Sequence, residues 1–197
     1  MTGILLAGGM SQRMGREKGN IRLAYGYLYQ YPLAVLEAVC DEILISTCNE
    51  SNFLVSHRTI CDEIEGIGPM GGIYSSLRQS SNDLNLVLSY DMPMVTQSLF
   101  RYLISEWKDE EVLLPALADG RPEPLCGLYR KSVTEVLKEL IEQGVYAVHR
   151  ILPRTRSRSI KITEQLECWH PDLFLNINRE EDLSRIPPGT GVRQDEK

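Results

Sequence analysis

This chain has no apolar run long enough to cross a membrane, no C-x-x-C cysteine pair and no excess of positive charge. The net charge of −6 argues against a general nucleic-acid binder, whose surface would be basic. Without C-x-x-C there is no indication of a zinc ribbon or a thioredoxin-type site, and the five scattered cysteines are expected to be free thiols in a reducing cytosol. The start of the chain lacks a basic segment followed by a long apolar one, so we expect no secretory signal and a cytoplasmic location.

The bulk composition is that of a folded globular protein. The chain has 197 residues, of which 43% are hydrophobic and 24% charged. That length favours one domain with a sizeable core, which we assign to residues 1–186. Residues 187–197 contain few apolar side chains and end in charge, so a frayed tail is expected there.

Strand-like and helix-like segments alternate, which favours βαβ units and a parallel sheet. Strands are predicted at Thr2–Leu6, Glu42–Thr47, Thr59–Asp62, Asn85–Tyr90, Val112–Ala116, Cys126–Tyr129 and Arg158–Ile162. Helices are predicted at Pro32–Val39, Met70–Gln79, Thr96–Trp107, Ser132–Gln143, Tyr146–Leu152 and Glu180–Ile186. The Asp119-Gly120 pair is a strong hairpin signal, so one strand pair should be antiparallel. The prediction is a three-layer, Rossmann-like α/β domain with a mixed, mostly parallel sheet.

A glycine-rich, cation-bearing loop follows the first strand. Its glycines are Gly8, Gly9 and Gly15, Arg13 lies between them, and Lys18 follows three residues after Gly15. Consecutive backbone N–H groups in such a loop form an anion-binding nest, and glycine lets the backbone approach a ligand closely. The spacing fits neither the P-loop nor the G-x-G-x-x-G fingerprint. A phosphate cradle is one interpretation, and an ordinary glycine-rich β-turn-α connection is the other.

A carboxylate stands at the end of the most apolar strand. Asp91 follows the run Asn85–Tyr90 and precedes Met92-Pro93. A carboxylate is costly to bury unless something compensates its charge, and Mg²⁺ held together with nucleotide phosphates would do so. The alternative is an Asx-turn residue before Pro93.

The loop resembles the L-A-G-G-x-S-x-R-M-G-x-x-K signature of the nucleotidyltransferases that activate sugars, pterins and alcohols. Within that superfamily the chain is most similar to the molybdenum cofactor guanylyltransferases, and the sheet is then expected to be of the nucleotide-diphospho-sugar transferase type. The resemblance implies that Leu6, Ala7, Gly8, Gly9 and Lys18 contact the nucleotide. It also implies that Arg13, Lys18 and Asp91 are catalytic and that Asp91, in a segment similar to C-D-M-P, holds Mg²⁺.

Three further polar positions follow strands and should converge with the loop, because ligands bind at the carboxyl ends of parallel strands. Gly68 lies in a segment similar to the family's G-P-L-x-G, and Asp62 resembles an aspartate near the bound nucleotide. Asn49 looks like a polar residue used near the nucleobase. A helix-entry turn with Asp62 as a solvated charge is the alternative.

Two later segments resemble the acceptor side of the same enzymes. The block from Asp119 to Tyr129 is similar to D-G-R-x-x-P-L-x-G-x-Y, which makes Arg121 available to a phosphate; a simple hairpin explains it equally well. Asn178 is the third residue of the segment Asn176–Leu183, which is similar to N-x-N-T-P-E-D-L, although Arg179-Glu180 replaces Thr-Pro. Asn178 could reach the metal or the acceptor, or it could cap the final helix.

The expected reaction is Mg²⁺-dependent transfer of GMP from GTP to the terminal phosphate of the molybdenum-bearing molybdopterin cofactor, with release of pyrophosphate. Molybdoenzymes or their chaperones are possible recipients of the product. The loop does not discriminate among bases, so cytidylyl transfer to the pterin or transfer to a sugar phosphate stays open. A non-catalytic nucleotide-binding protein is the third alternative.

Overall fold

The computed structural model describes residues 1–8, 21–23, 26–49 and 56–187. Its strands are β1 (Thr2–Leu6), β2 (Arg22–Leu23), β3 (Gly26–Tyr27), β4 (Glu42–Ser46), β5 (Arg58–Ile60), β6 (Leu84–Ser89), β7 (Val112–Ala116), β8 (Cys126–Arg130) and β9 (Ser157–Lys161). Its α-helices are α1 (Gln30–Glu37), α2 (Pro69–Gln79), α3 (Gln97–Glu106) and α4 (Val133–Glu142). Val148–Arg154 and Glu180–Arg185 form 3₁₀-helices.

Seven strands form one mixed sheet in the order β5-β4-β1-β6-β8-β7-β9. The pairs β5–β4, β4–β1, β1–β6 and β7–β9 are parallel, whereas β8 is antiparallel to both of its neighbours. The turn between β7 and β8 places Gly120 at φ +87, a conformation that glycine adopts without steric cost. The predicted mixed, mostly parallel sheet is confirmed.

Helices cover both faces of the sheet, which makes the predicted three layers. Alternate strand residues point to opposite faces. Leu5 and Leu88 share one core with α1 and α3, while Ile4 and Val87 share the other with α2 and α4. Because the central strands are buried on both sides, most of their residues are apolar, and their few polar residues, such as Asn85 on β6, are buried with them.

The element bounds lie close to those predicted. Thr96 caps α3 as expected, with its hydroxyl oxygen accepting from the Leu99 N–H at 3.4 Å. The predicted helices Tyr146–Leu152 and Glu180–Ile186 are 3₁₀-helices, and the short β2–β3 ribbon was not predicted. Within the described part of the chain, no helix is long and apolar enough to span a membrane. The one-domain assignment stays a prediction, and residues 188–197 of the tail lie outside the described residues.

The expectation that every cysteine is a free thiol is wrong for one pair. Cys48 and Cys61 form a disulfide, while Cys40, Cys126 and Cys168 are free. Cys48 follows β4 and Cys61 follows β5, and these strands are hydrogen-bonded neighbours. Sequence alone did not pair them, because they are 13 residues apart and only the parallel register brings their strand ends together.

We expect the double substitution C48S/C61S to lower the free energy of unfolding by about 3 kcal/mol, because the bridge restricts the unfolded chain over a short loop. The measurement is thermal unfolding with and without dithiothreitol. The reductant should lower the melting temperature of the unmodified protein and leave that of the double variant unchanged. A melting temperature indifferent to reductant in both proteins would contradict the prediction.

Candidate functional site

The carboxyl ends of the parallel strands form one edge of the sheet. Leu6, the last residue of β1, pairs with Ser46 on β4 and with Ser89 on β6. The Ala7 N–H donates to the Ser46 carbonyl and the Tyr90 N–H donates to the Leu6 carbonyl, both at 3.0 Å. The chain that leaves β1 therefore passes between the ends of β4 and β6.

The glycine loop starts in that gap. Leu6 and Ala7 are buried, and Gly8 is exposed directly after them. Gly9, Arg13 and Lys18 lie outside the described residues, so their predicted contacts with nucleotide phosphates stay predictions.

On one side of this gap, Asp62 meets the start of α2. The Ser46 hydroxyl donates to Asp62 Oδ1 at 3.2 Å. A Cβ on Gly71 would lie 3.1 Å from Asp62 Oδ2, and a Cβ on Gly72 would collide with Ser46 Oγ. Gly68 precedes α2 with φ +69 and Pro69 is the first helical residue. The helix-entry turn is thus confirmed, and Gly71 and Gly72 let α2 approach the strand ends.

Burial raises the pKa of the Asp62 carboxyl above its ordinary value. The hydrogen bond from Ser46 opposes this rise and the negative charge of Glu65 adds to it. The interpretation of Asp62 as a freely solvated charge is therefore wrong. A half-buried carboxylate of this kind is an acceptor suited to the N–H groups of a nucleobase or the hydroxyls of a ribose.

We expect Asp62→Asn to raise the melting temperature at pH 7 by about 1–3 °C while weakening nucleotide binding. A raised pKa means that ionised Asp62 destabilises the folded state, and this cost is lost as the pH falls toward 3.8. The asparagine carbonyl can still accept from Ser46. Melting curves at pH 4 and pH 7 measure the effect, with the exposed Asp109→Asn as control. A variant less stable than the parent at pH 7 would contradict it.

Asn49 and Asp62 each follow one cysteine of the disulfide. The Asn49 backbone N–H donates to the Thr47 hydroxyl at 3.1 Å. The Thr47 N–H donates to the Ile60 carbonyl at 2.8 Å, and Cys48 is bonded to Cys61. These bonds join the chain segments that follow β4 and β5, one of which carries Asn49 and the other Asp62.

On the other side of the gap stands Asp91. The Ser89 hydroxyl donates to Asp91 Oδ1 at 2.7 Å, which orients the carboxylate. The Ile177 N–H donates to the Asp91 carbonyl at 2.9 Å. This bond places the segment from Asn176 to Asn178 beside Asp91. That Asn178 reaches the metal or the acceptor stays a prediction. Within the described ranges, no three His, Cys, Asp or Glu side chains form a metal-binding group.

A second carboxylate near Asp91 was not predicted. Ser89 donates its N–H to the Leu125 carbonyl at 2.9 Å, so the chain leaving β6 runs beside the chain entering β8. Glu123 lies on that second chain and is half-buried. Burial, and then the negative charge of Asp91, raises the pKa of the Glu123 carboxyl. Its only sequence signal was its place in the D-G-R-x-x-P-L block.

The two residues predicted to bind the acceptor differ in their settings. Arg121 is exposed on the β7–β8 hairpin, with its Nε 3.9 Å from Asp119 Oδ2. Asn178 lines a cleft, but it does not cap the last helix: Arg179 is the N-cap residue. The backbone N–H groups of Asn178 and Arg179 both donate to Asp182 Oδ2 at 2.8 Å. The helix cap is therefore supplied by Asp182, because its carboxylate reaches back over the first turn.

Residues 3–159 match the family described as the MobA-like NTP transferase domain. A relative from Thermococcus gammatolerans, which bears the name "Probable molybdenum cofactor guanylyltransferase", is 33% identical over 96% of this chain and 100% of its own. Another of that name, from Flavobacterium johnsoniae, is 27% identical over 94% and 96%. The crystal structure of molybdopterin-guanine dinucleotide biosynthesis protein A from Archaeoglobus fulgidus superposes with a TM-score of 0.78 at 26% identity, covering 94% of this chain and 96% of that one.

Proposed function

Because the chain belongs to the family of MobA-like NTP transferase domains and is a nucleotidyltransferase, we propose that it transfers GMP from GTP to molybdopterin cofactor. The acceptor is the terminal phosphate of the molybdenum-bearing cofactor. The products are the guanine dinucleotide form of the cofactor and pyrophosphate.

One observation carries this proposal. The 3.0 Å hydrogen bond from the Tyr90 N–H to the Leu6 carbonyl fixes the start of the glycine loop next to the strand end that bears Asp91. A triphosphate cradled by the loop would thus lie beside a carboxylate. The half-buried Asp62, which accepts from Ser46 on the other neighbour of β1, would accept hydrogen bonds from the base or ribose.

The reaction is an in-line displacement at the α-phosphorus of GTP. An oxygen of the acceptor phosphate forms the new bond to this phosphorus, and the bond to the bridging oxygen of pyrophosphate breaks. The acceptor is already an anion, so the main task is to bring two polyanions together. In this mechanism the loop N–H groups hold the β- and γ-phosphates, and Arg13 and Lys18 offset the charge that develops on pyrophosphate.

The donor set near Asp91 suits a hard cation. Carboxylate oxygens are the ligands that Mg²⁺ prefers, and Asp91 is held in one orientation by Ser89. Asp91 is the residue that would hold the ion. When bound, Mg²⁺ supplies charge neutralisation between donor and acceptor phosphates.

Arg121 and Asn178 are assigned to the acceptor side. An arginine can pair with a phosphate through two parallel hydrogen bonds. The exposure of Arg121 leaves its guanidinium accessible, and Asn178 lies one residue from the backbone bond to Asp91. Since GTP and the cofactor are intracellular compounds, the proposed site of action is the cytoplasm, with molybdoenzymes or their chaperones as recipients of the product.

The test is pyrophosphate release in Mg²⁺ with GTP, CTP, ATP or UTP, each with and without molybdopterin cofactor. We expect release only when GTP and the acceptor are both present. Release with CTP in place of GTP would assign cytidylyl transfer instead. Binding of GTP without release of pyrophosphate would overturn the proposal and leave a nucleotide-binding protein.

A further inference from the structure

A cleft of about 900 Å³ opens beside the Asp91 side of the sheet edge. Its volume is within the range of small-molecule sites. One wall comes from the β7–β8 hairpin at Leu117 and Ala118, and the opposite wall from the segment between β9 and the last 3₁₀-helix. None of the described residues that line this cleft belongs to the glycine loop motif or the Asp91 motif.

Two large aromatic side chains line the second wall. Trp169 and Phe174 are half-buried: both pack against the hydrophobic core and both line the cleft. The segment between them is fixed by backbone hydrogen bonds, since the Leu173 N–H donates to the His170 carbonyl at 3.0 Å and the Trp169 N–H to the Leu166 carbonyl at 2.9 Å. Rings held in this way offer flat surfaces for stacking at little further cost in entropy.

The other end of the cleft is polar and adjoins the reaction centre. Asn176 and Asn178 line it, and the intervening Ile177 donates its N–H to the Asp91 carbonyl at 2.9 Å. A ligand whose phosphate lies at Asp91 can therefore extend past the two asparagines toward the aromatic wall. An aromatic surface beside two amide side chains suits a planar heterocycle that has hydrogen-bonding groups at its edge.

We propose that Trp169 and Phe174 form the wall on which the pterin ring of the acceptor stacks. The assignment rests on the proposed function for the identity of the ligand. It adds the residues that recognise the acceptor at the end remote from its phosphate. Neither residue belongs to a motif that the sequence analysis had singled out.

Trp169 permits a direct spectroscopic test, because the chain has only two tryptophans. Trp107 ends α3 and packs its ring against the Arg130 guanidinium, 5.5 Å from the ring centroid. In the Trp107→Phe variant all indole fluorescence comes from Trp169. We expect molybdopterin to quench that emission saturably and GTP alone to leave it unchanged.

The matched control is Trp169→Phe, in which Trp107 is the sole reporter. Molybdopterin should lower its emission only to the extent that the pterin itself absorbs the exciting or emitted light. Equal quenching in the two single-tryptophan proteins would show no contact with Trp169 and would overturn the proposal.

A kinetic readout separates recognition from chemistry. We expect Trp169→Leu to raise KM for the acceptor about tenfold, as the loss of one stacking contact predicts, with KM for GTP unchanged. Trp169→Phe should retain most of the affinity because it keeps a ring. Pyrophosphate release with an unchanged acceptor KM in Trp169→Leu overturns the cleft assignment and leaves the proposed function in place. Quenching of Trp169 by the pterin without any pyrophosphate release supports the cleft assignment and overturns the proposed transfer reaction.

Discussion

Asp91→Asn is expected to lower Mg²⁺-dependent pyrophosphate release about 10³-fold, because a metal ion contributes several kcal/mol to the stabilisation of phosphoryl charge. The asparagine keeps an oxygen that can accept from Ser89. It also leaves the backbone bond between Ile177 and the carbonyl of residue 91 intact. The variant should therefore fold like the parent and lose the metal dependence. A titration of the rate with Mg²⁺ measures the effect.

The exposed Asp109→Asn is the matched control, since it removes the same charge from the loop between α3 and β7. It should leave the Mg²⁺ titration unchanged. An Asp91→Asn protein whose titration curve coincides with that of the parent would contradict the assignment of the metal ligand. Melting curves of both variants show whether a loss of Mg²⁺-dependent activity in Asp91→Asn is instead caused by a loss of folding.

The fold could be predicted from the sequence because its elements are strongly patterned. Thr2–Leu6 and Val112–Ala116 are short apolar runs between turn signals, and the structure has these strands with the predicted bounds. The buried residues of α4, which include Val133, Leu137 and Leu140, recur at helical spacing. The helix is followed by Gly144, whose φ of +72 is a glycine-favouring conformation. The β2–β3 ribbon could not be predicted, since two-residue strands carry no periodicity.

Parts of the candidate site could be predicted for a simpler reason. In a parallel sheet every strand ends at the same edge, so residues that directly follow strands lie along that edge. This rule places Gly8, Asp62 and Asp91 correctly. It does not apply to Glu123, which precedes β8, a strand that runs antiparallel to its neighbours in the seven-stranded sheet.

The disulfide and the aromatic wall lay beyond such reasoning. The bond between Cys48 and Cys61 depends on which strands are adjacent, and the order of strands in a sheet is not written in local patterns. Trp169 and Phe174 lie in an irregular segment, where no helical or strand periodicity indicates which side chains are buried. Only the three-dimensional path of this segment places both rings in one cleft.

Lys18→Ala is expected to retain the fold and to lose about 10²–10³-fold in the rate of transfer, by analogy with the removal of one donor from an oxyanion hole. The described strand-end residues nearest the loop include the carboxylates of Asp62 and Asp91, and the whole chain carries a net charge of −6. A tetra-anionic nucleotide can bind there only if cations are supplied locally. The loop cations are therefore expected to matter more than surface lysines do.

Lys138→Ala provides the comparison, because Lys138 is an exposed residue of α4 and its loss changes the net charge by the same amount. It should leave turnover near the value of the parent. If the cation acts on the developing charge of pyrophosphate, Lys18→Ala lowers kcat together with kcat/KM; if it only attracts the nucleotide, KM for GTP rises and kcat is retained. Near-normal turnover at saturating GTP in Lys18→Ala would thus refute the catalytic assignment. A loss in kcat in Lys18→Ala that is smaller in Lys18→Arg would establish that the positive charge acts in the transition state.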